Sequence, residues 1–226
     1  MKDEIIIYQI NEIKNKIKDF IIELDKFSMC SCNSSLSQKE KDFFAFLSKQ
    51  IIFLKNIYEF ENKYSIKVLI SDYYNYIISI VKGEHRYMYV NERSIIENYT
   101  RLVTSISVDV NYITSDVFDK LRKHPDISSK EYSLIKSEYC NSCGYIHGSK
   151  LLNNDLAYVF KECIIGYGKV RNINNYFDNI IKIIKTYNRI LILSYSELID
   201  NCFFRKKSVL KYLIGNNNVE ILFRKK

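Results

Sequence analysis

Apolar side chains recur every three or four positions from the start of the chain, and this spacing constrains the fold more than any other feature. Ile6, Ile10, Ile13, Ile17, Phe20, Ile21 and Leu24 trace one stripe, as an amphipathic helix requires. The stripe recurs in Phe43, Phe44, Phe46, Leu47, Ile51, Leu54, Ile57 and Tyr58, and again from Tyr64 to Val81. Helices of this length meet few interruptions, because the 226 residues include one proline and six glycines. A sandwich or barrel needs a turn roughly every ten residues, and too few turn formers are present to supply them. The expectation is an all-α antiparallel multi-helix bundle, residues 1–226 forming one helical domain.

The small polar stretch SMCSCNSSLSQKE separates the first two stripes, with Ser37 and Glu40 spaced as a capping box. In HRYMYVNERSIIENYTRLVTSISV, Ile95, Ile96, Tyr99, Leu102, Val103 and Ile106 fall on one arc. Arg93, Glu97 and Arg101 fall on another, which Arg86 joins if the helix starts that early. Two readings of this polar arc stand side by side: a solvated ladder of ion pairs, or an inward-facing network in which glutamate pins arginine as an anion site. Pro125 stops a helix at His124, and Ser128 or Ser129 caps the next through Tyr132, Ile135, Tyr139, Cys143 and Ile146, with Gly148 ending it. A short helix over 156–165, broken by Gly166 and Gly168, a long one from Tyr176 to about Asn201, and a short one at 209–215 follow. VEILF (219–223) reads as a terminal strand or an extended tail.

The formal charge is +8, and seven basic residues against Asp200 and Glu220 concentrate it in the last 27. Arg205, Lys206, Lys207 and Lys211 in that segment suit a nucleic-acid backbone or an anionic membrane surface, and they equally suit a solvated end. No run nears the 18 or so apolar residues of a membrane span, and MKDEIIIYQINEIK lacks the pattern of a signal peptide. A cytoplasmic protein without a membrane partner is expected. Its cysteines, Cys30, Cys32, Cys140, Cys143, Cys163 and Cys202, are then reduced. Cys30, Cys32, Cys140 and Cys143 would suffice for a tetrahedral zinc site, but Cys143 shares a helical stripe with Tyr139 and Ile146 and reads more simply as a small core residue. No metal ligand set and no cofactor is assigned. His147, in the last turn of its helix, can serve as a general acid or base, or can bond a carbonyl and lock the turn.

An Arg-x-x-x-Glu helix (RSIIENYTR, 93–101) followed some forty residues later by YIHGS (145–149) resembles the HEPN superfamily over roughly Lys67 to Cys163. These all-helical domains include prokaryotic toxins, phage-defence proteins and RNA-processing modules. The resemblance implies a homodimer, RNA as substrate, metal-independent ribonuclease activity, and a protein partner such as an antitoxin or defence component. In that chemistry a ribose 2′-OH attacks the adjacent phosphate, histidine moves protons and arginine stabilises the phosphorane. Of the family's site residues only His147 carries over, as acid or base; the polar arc supplies the other candidates, Arg93 and Arg101 on phosphate with Glu97 orienting the arginines. The same-helix arginine of active members is missing, since Cys140, Asn141 and Ser142 occupy its places. A non-catalytic interaction or regulatory module therefore stands beside the enzyme.

Overall fold

The computed structural model describes residues 2–105, 115–147, 157 and 172–224. Among them are ten helices and no strand. They are α1 (Lys2–Cys32), α2 (Gln38–Phe60), α3 (Tyr64–Val81), α4 (His85–Thr104), α5 (Ser115–Arg122), α6 (Ser129–Ile146), α7 (Ile173–Ser194), α8 (Ser196–Cys202), α9 (Lys207–Ile214) and α10 (Asn216–Arg224). The all-α expectation holds. The readings at Ile106, Gly148, Cys163, residues 156–165, Gly166 and Gly168 lie outside the described residues.

Short links set the topology. Residues 61–63 return the chain from α2 to α3, and residues 82–84 return it from α3 to α4. Links this short place consecutive helices side by side and antiparallel. Helix α4 is the centre: it packs most extensively on α3, then on α6, and also touches α5 and α7. Helix α2 lies across α1, α3, α7, α8 and α9. The two capping boxes form as spaced in the sequence, Ser37 with Glu40 and Ser128 with Glu131. Each satisfies helix-start N–H groups that would otherwise lack partners.

The core is one contiguous cluster from Leu24 to Leu222. Phe43 and Phe177 stack at 3.9 Å between α2 and α7, and Tyr99 stacks on Tyr187 at 5.1 Å between α4 and α7. Tyrosine lets this core carry hydroxyls, and they pair with one another. The Tyr73 hydroxyl donates to Tyr99 (3.1 Å), and Asn188 donates to Gln50 (2.6 Å). Thr100 and Tyr187 share a 2.6 Å hydrogen bond. These bonds join α2, α3, α4 and α7 at one level of the bundle, and leaving any such group unpaired would cost about 1–3 kcal/mol.

Three elements differ from the sequence reading. VEILF is helical, within α10: Val219 and Leu222 are both buried at helical i, i+3 spacing, and α10 packs on α7 and α9. The long helix breaks at Tyr195, whose hydroxyl donates to the Leu102 carbonyl at 3.0 Å, one of the last-turn acceptors of α4. Helix α1 runs on through SMCSC to Cys32, and Asn33, at φ 50°, ends it in the left-handed conformation. There the Ser28 hydroxyl folds back onto the Ser34 carbonyl at 2.7 Å.

Candidate site between helices four and six

Helix α4 starts at His85, early enough to bring Arg86 onto the arc of Arg93 and Glu97. Helix α6 packs along that arc, its last turn held by a stack of Tyr89 on Tyr145 (3.9 Å, 11°). His147 follows as the C-cap of α6, its backbone N–H donating to the Cys143 carbonyl. The result is a cross-helix cluster. Arg93 Nε donates to Glu97 Oε1 at 2.8 Å, the Tyr139 hydroxyl donates to the same oxygen at 2.8 Å, and Arg93 Nη1 lies 3.4 Å from His147 Nε2. The Arg93 guanidinium also sits over the Tyr139 ring, 5.5 Å from its centroid. Arg86 reaches the Ile146 carbonyl at 3.4 Å, anchoring the same turn.

The polar arc is therefore an inward network. Arg93 and Glu97 keep only 28% and 21% of their side-chain surface exposed, so water screens them less than it would a surface ladder. Burial draws the Arg93 guanidinium pKa down, but the Glu97 carboxylate outweighs it and the net movement is upward. Burial and donation to Glu97 both raise the Tyr139 phenol. Arginine has only donors, so this contact is a hydrogen bond when His147 Nε2 offers its lone pair. His147 is exposed, with Nε2 turned toward a fixed cation.

Arg101 is not part of this cluster. It lies two turns beyond Arg93, about 12 Å along the helix axis, and is buried. Of the basic segment, Arg205, Lys206 and Lys211 are exposed, whereas Lys207 is held by the Asp200 carboxylate and accepted by the Asp200 carbonyl at 2.9 Å. Of the four cysteines considered for zinc, Cys30, Cys32 and Cys140 are exposed and Cys143 is half-buried, so the small-core reading fits Cys143 and not Cys140. Cys32 Sγ donates to the Val81 carbonyl at the end of α3 (3.2 Å). Among the described residues, no three His, Cys, Asp or Glu side chains gather where they could hold a metal ion.

Behind the cluster lies a set of acids that sequence reasoning missed. Glu92, 1% exposed, accepts from the Tyr176 hydroxyl at 2.5 Å, and Tyr176 in turn bonds Tyr76. Its other oxygen has no hydrogen-bond partner among the described residues. Burial, with Glu138 nearby, pushes the Glu92 carboxyl up to about 8. Glu138 itself accepts from Asn179 at 2.9 Å. A signal was available: Glu92 precedes Ile95, Ile96 and Tyr99 by three, four and seven positions, so it belongs to the apolar arc of α4.

No protein-family model, no curated protein and no solved structure matches the chain.

Proposed function

We propose that the chain is a HEPN-type ribonuclease of the toxin or phage-defence kind, acting without a metal, with His147 as proton-transfer residue and Arg93 as phosphate-binding residue. The observation that supports this is the 3.4 Å approach of Arg93 Nη1 to His147 Nε2 across two helices. It stands in for the same-helix arginine that the sequence lacks. On binding RNA, Arg93 exchanges His147 for a phosphoryl oxygen, and the Nε2 lone pair so freed takes the proton of a ribose 2′-OH, whose oxygen attacks the adjacent phosphorus. Arg93 faces the charge that gathers on the phosphoryl oxygens. The P–O5′ bond then breaks, the leaving oxygen takes the proton held by His147, and the products are a 2′,3′-cyclic phosphate and a 5′-hydroxyl. Glu97 and Tyr139 hold Arg93 in place, so they are positioning residues. Arg101, being buried, is left out of the phosphate set. A homodimer and a cytoplasmic location belong to the same proposal.

A second reading makes the cluster a lock that fixes α6 on α4 in a non-catalytic interaction module with a protein partner. Its support is the full engagement of Arg93 by Glu97, Tyr139 and His147. Expression of wild type and His147→Ala in a bacterial host separates the two. Growth arrest with RNA fragments ending in cyclic phosphate, abolished by the alanine, supports the enzyme. Equal growth and intact RNA with both folded proteins at equal levels leaves the interaction module.

A further inference from the structure

Away from this cluster, α9 packs against both α1 and α2. At their junction two lysines from different helices converge on one ring: Lys49 Nζ lies 4.2 Å and Lys14 Nζ 5.8 Å from the centroid of Tyr212. Neither lysine has a carboxylate partner among the described residues. Burial, and then the charge of Lys14, lower the Lys49 ammonium below its ordinary value. Two like charges held together at a half-buried site are costly on their own, and an anion placed between them removes that cost. Cation–π contact with Tyr212 holds the pair without neutralising it.

The same surface continues into the turn before α9. Lys206 lies close enough to α1 to act on Glu12, and Glu12 is itself taken by Lys16 at 2.6 Å. Lys211 is exposed on α9 beside Tyr212, and the Phe204 ring is 68% exposed two residues before Lys206. Cations that form no salt bridge among the described residues, Lys14, Lys49 and Lys206, answer a repeating negative charge. A free aromatic ring at the end of the strip offers a stacking platform that an acidic protein surface would not use.

We infer that Lys14, Lys49, Lys206 and Lys211, with Tyr212 and Phe204, form a binding strip for single-stranded nucleic acid. The strip shares RNA as its ligand with the proposed reading above and otherwise rests on that reading only there; no step of it requires His147.

The test is fluorescence anisotropy of the full chain with a labelled oligouridylate of about 20 nucleotides, titrated from about 50 to 200 mM salt. Lys14→Ala/Lys49→Ala is expected to bind at least about tenfold more weakly, and its slope of log affinity against log salt should be shallower by about 1.4. Phe204→Ala should weaken binding about fivefold or more and leave the slope unchanged. Because Lys49 is half-buried, Lys206→Gln/Lys211→Gln, at exposed positions, provides a second lysine pair with the same expected change in slope. RNA binding by the wild type without cleavage would remove the catalytic proposal and keep this one. The strip is refuted if wild type shows no salt-dependent binding, if both lysine pairs leave affinity and slope intact, or if polyglutamate displaces the oligonucleotide at equal charge.

Discussion

Glu97 Oε1 on α4 accepts two hydrogen bonds of 2.8 Å, one from Arg93 on its own helix and one from Tyr139 on α6. A single carboxylate oxygen thus fixes both the rotamer of the arginine and the distance between the helices. Arginine aimed in this way needs little reorganisation when an anion arrives.

Removing one of the two donors tests that arrangement. Tyr139→Phe keeps the ring under Arg93 and deletes only the hydroxyl. It should lower stability by about 1 kcal/mol, read as a shift in the denaturant midpoint with unchanged m. If RNA is cleaved, the loss in kcat should exceed the change in KM, since the variant loosens a positioning residue rather than a binding one.

Arg93→Lys retains the positive charge but cannot hold Glu97 and His147 at once, because an ammonium lacks the planar fork of a guanidinium. Single-turnover cleavage should fall by about a hundredfold or more, close to the effect of His147→Ala. Thermal unfolding should change little, because the ammonium at this position still pairs with the Glu97 carboxylate four residues on. A lysine variant that cleaves at the wild-type rate would show that charge alone suffices at this position.

Glu92 couples stability to alkaline pH. Its folded pKa of about 8 stands above the ordinary carboxyl value of 4.5, so between these values folding takes up a proton. Stability contributed by this group is fully present below about pH 4.5 and is lost as pH rises through 8, by no more than about 1.4 kcal/mol per pH unit. Glu92→Gln, which is neutral throughout, should flatten that decline in urea titrations between pH 6 and 9 and should be more stable than wild type at the upper end.

Glu131 works in the opposite direction. Burial would raise its carboxyl, but Arg189 (2.9 Å) and the Ser128 cap bring it down to about 2. The stability it contributes is present above pH 4.5 and is lost as pH falls towards 2. Ser128→Ala should cost about 1 kcal/mol at neutral pH. Glu131→Gln should shift the acid unfolding midpoint downward relative to its own stability at pH 7, because the variant has no carboxylate left to protonate.

What the sequence revealed and what it hid follow a physical division. Local signals were legible: the apolar stripes, and both capping boxes, because Ser37–Glu40 and Ser128–Glu131 act over three residues. The break at Tyr195 was not, since no glycine or proline marks it and its cause is a carbonyl 93 positions away. VEILF reads as a terminal strand or an extended tail, and only burial against α7 and α9 decides for helix. His147 and Arg93 were each legible as candidates, but their 3.4 Å approach joins residues 54 apart and depends on α6 docking along α4. Nothing in one-dimensional spacing distinguished Arg101, which is buried, from Arg93, which is aimed at the histidine.

The tyrosine core also gives the protein its own optical reporter. With no tryptophan among 226 residues, near-ultraviolet absorbance and fluorescence come chiefly from tyrosine. Tyr73, Tyr76, Tyr99 and Tyr187 are fully buried across α3, α4 and α7, and burial raises each phenol well above its ordinary value. In alkali these buried phenols should turn to phenolate in a single delayed step as the bundle opens, so absorbance near the phenolate band would record the integrity of the central helices without any added dye.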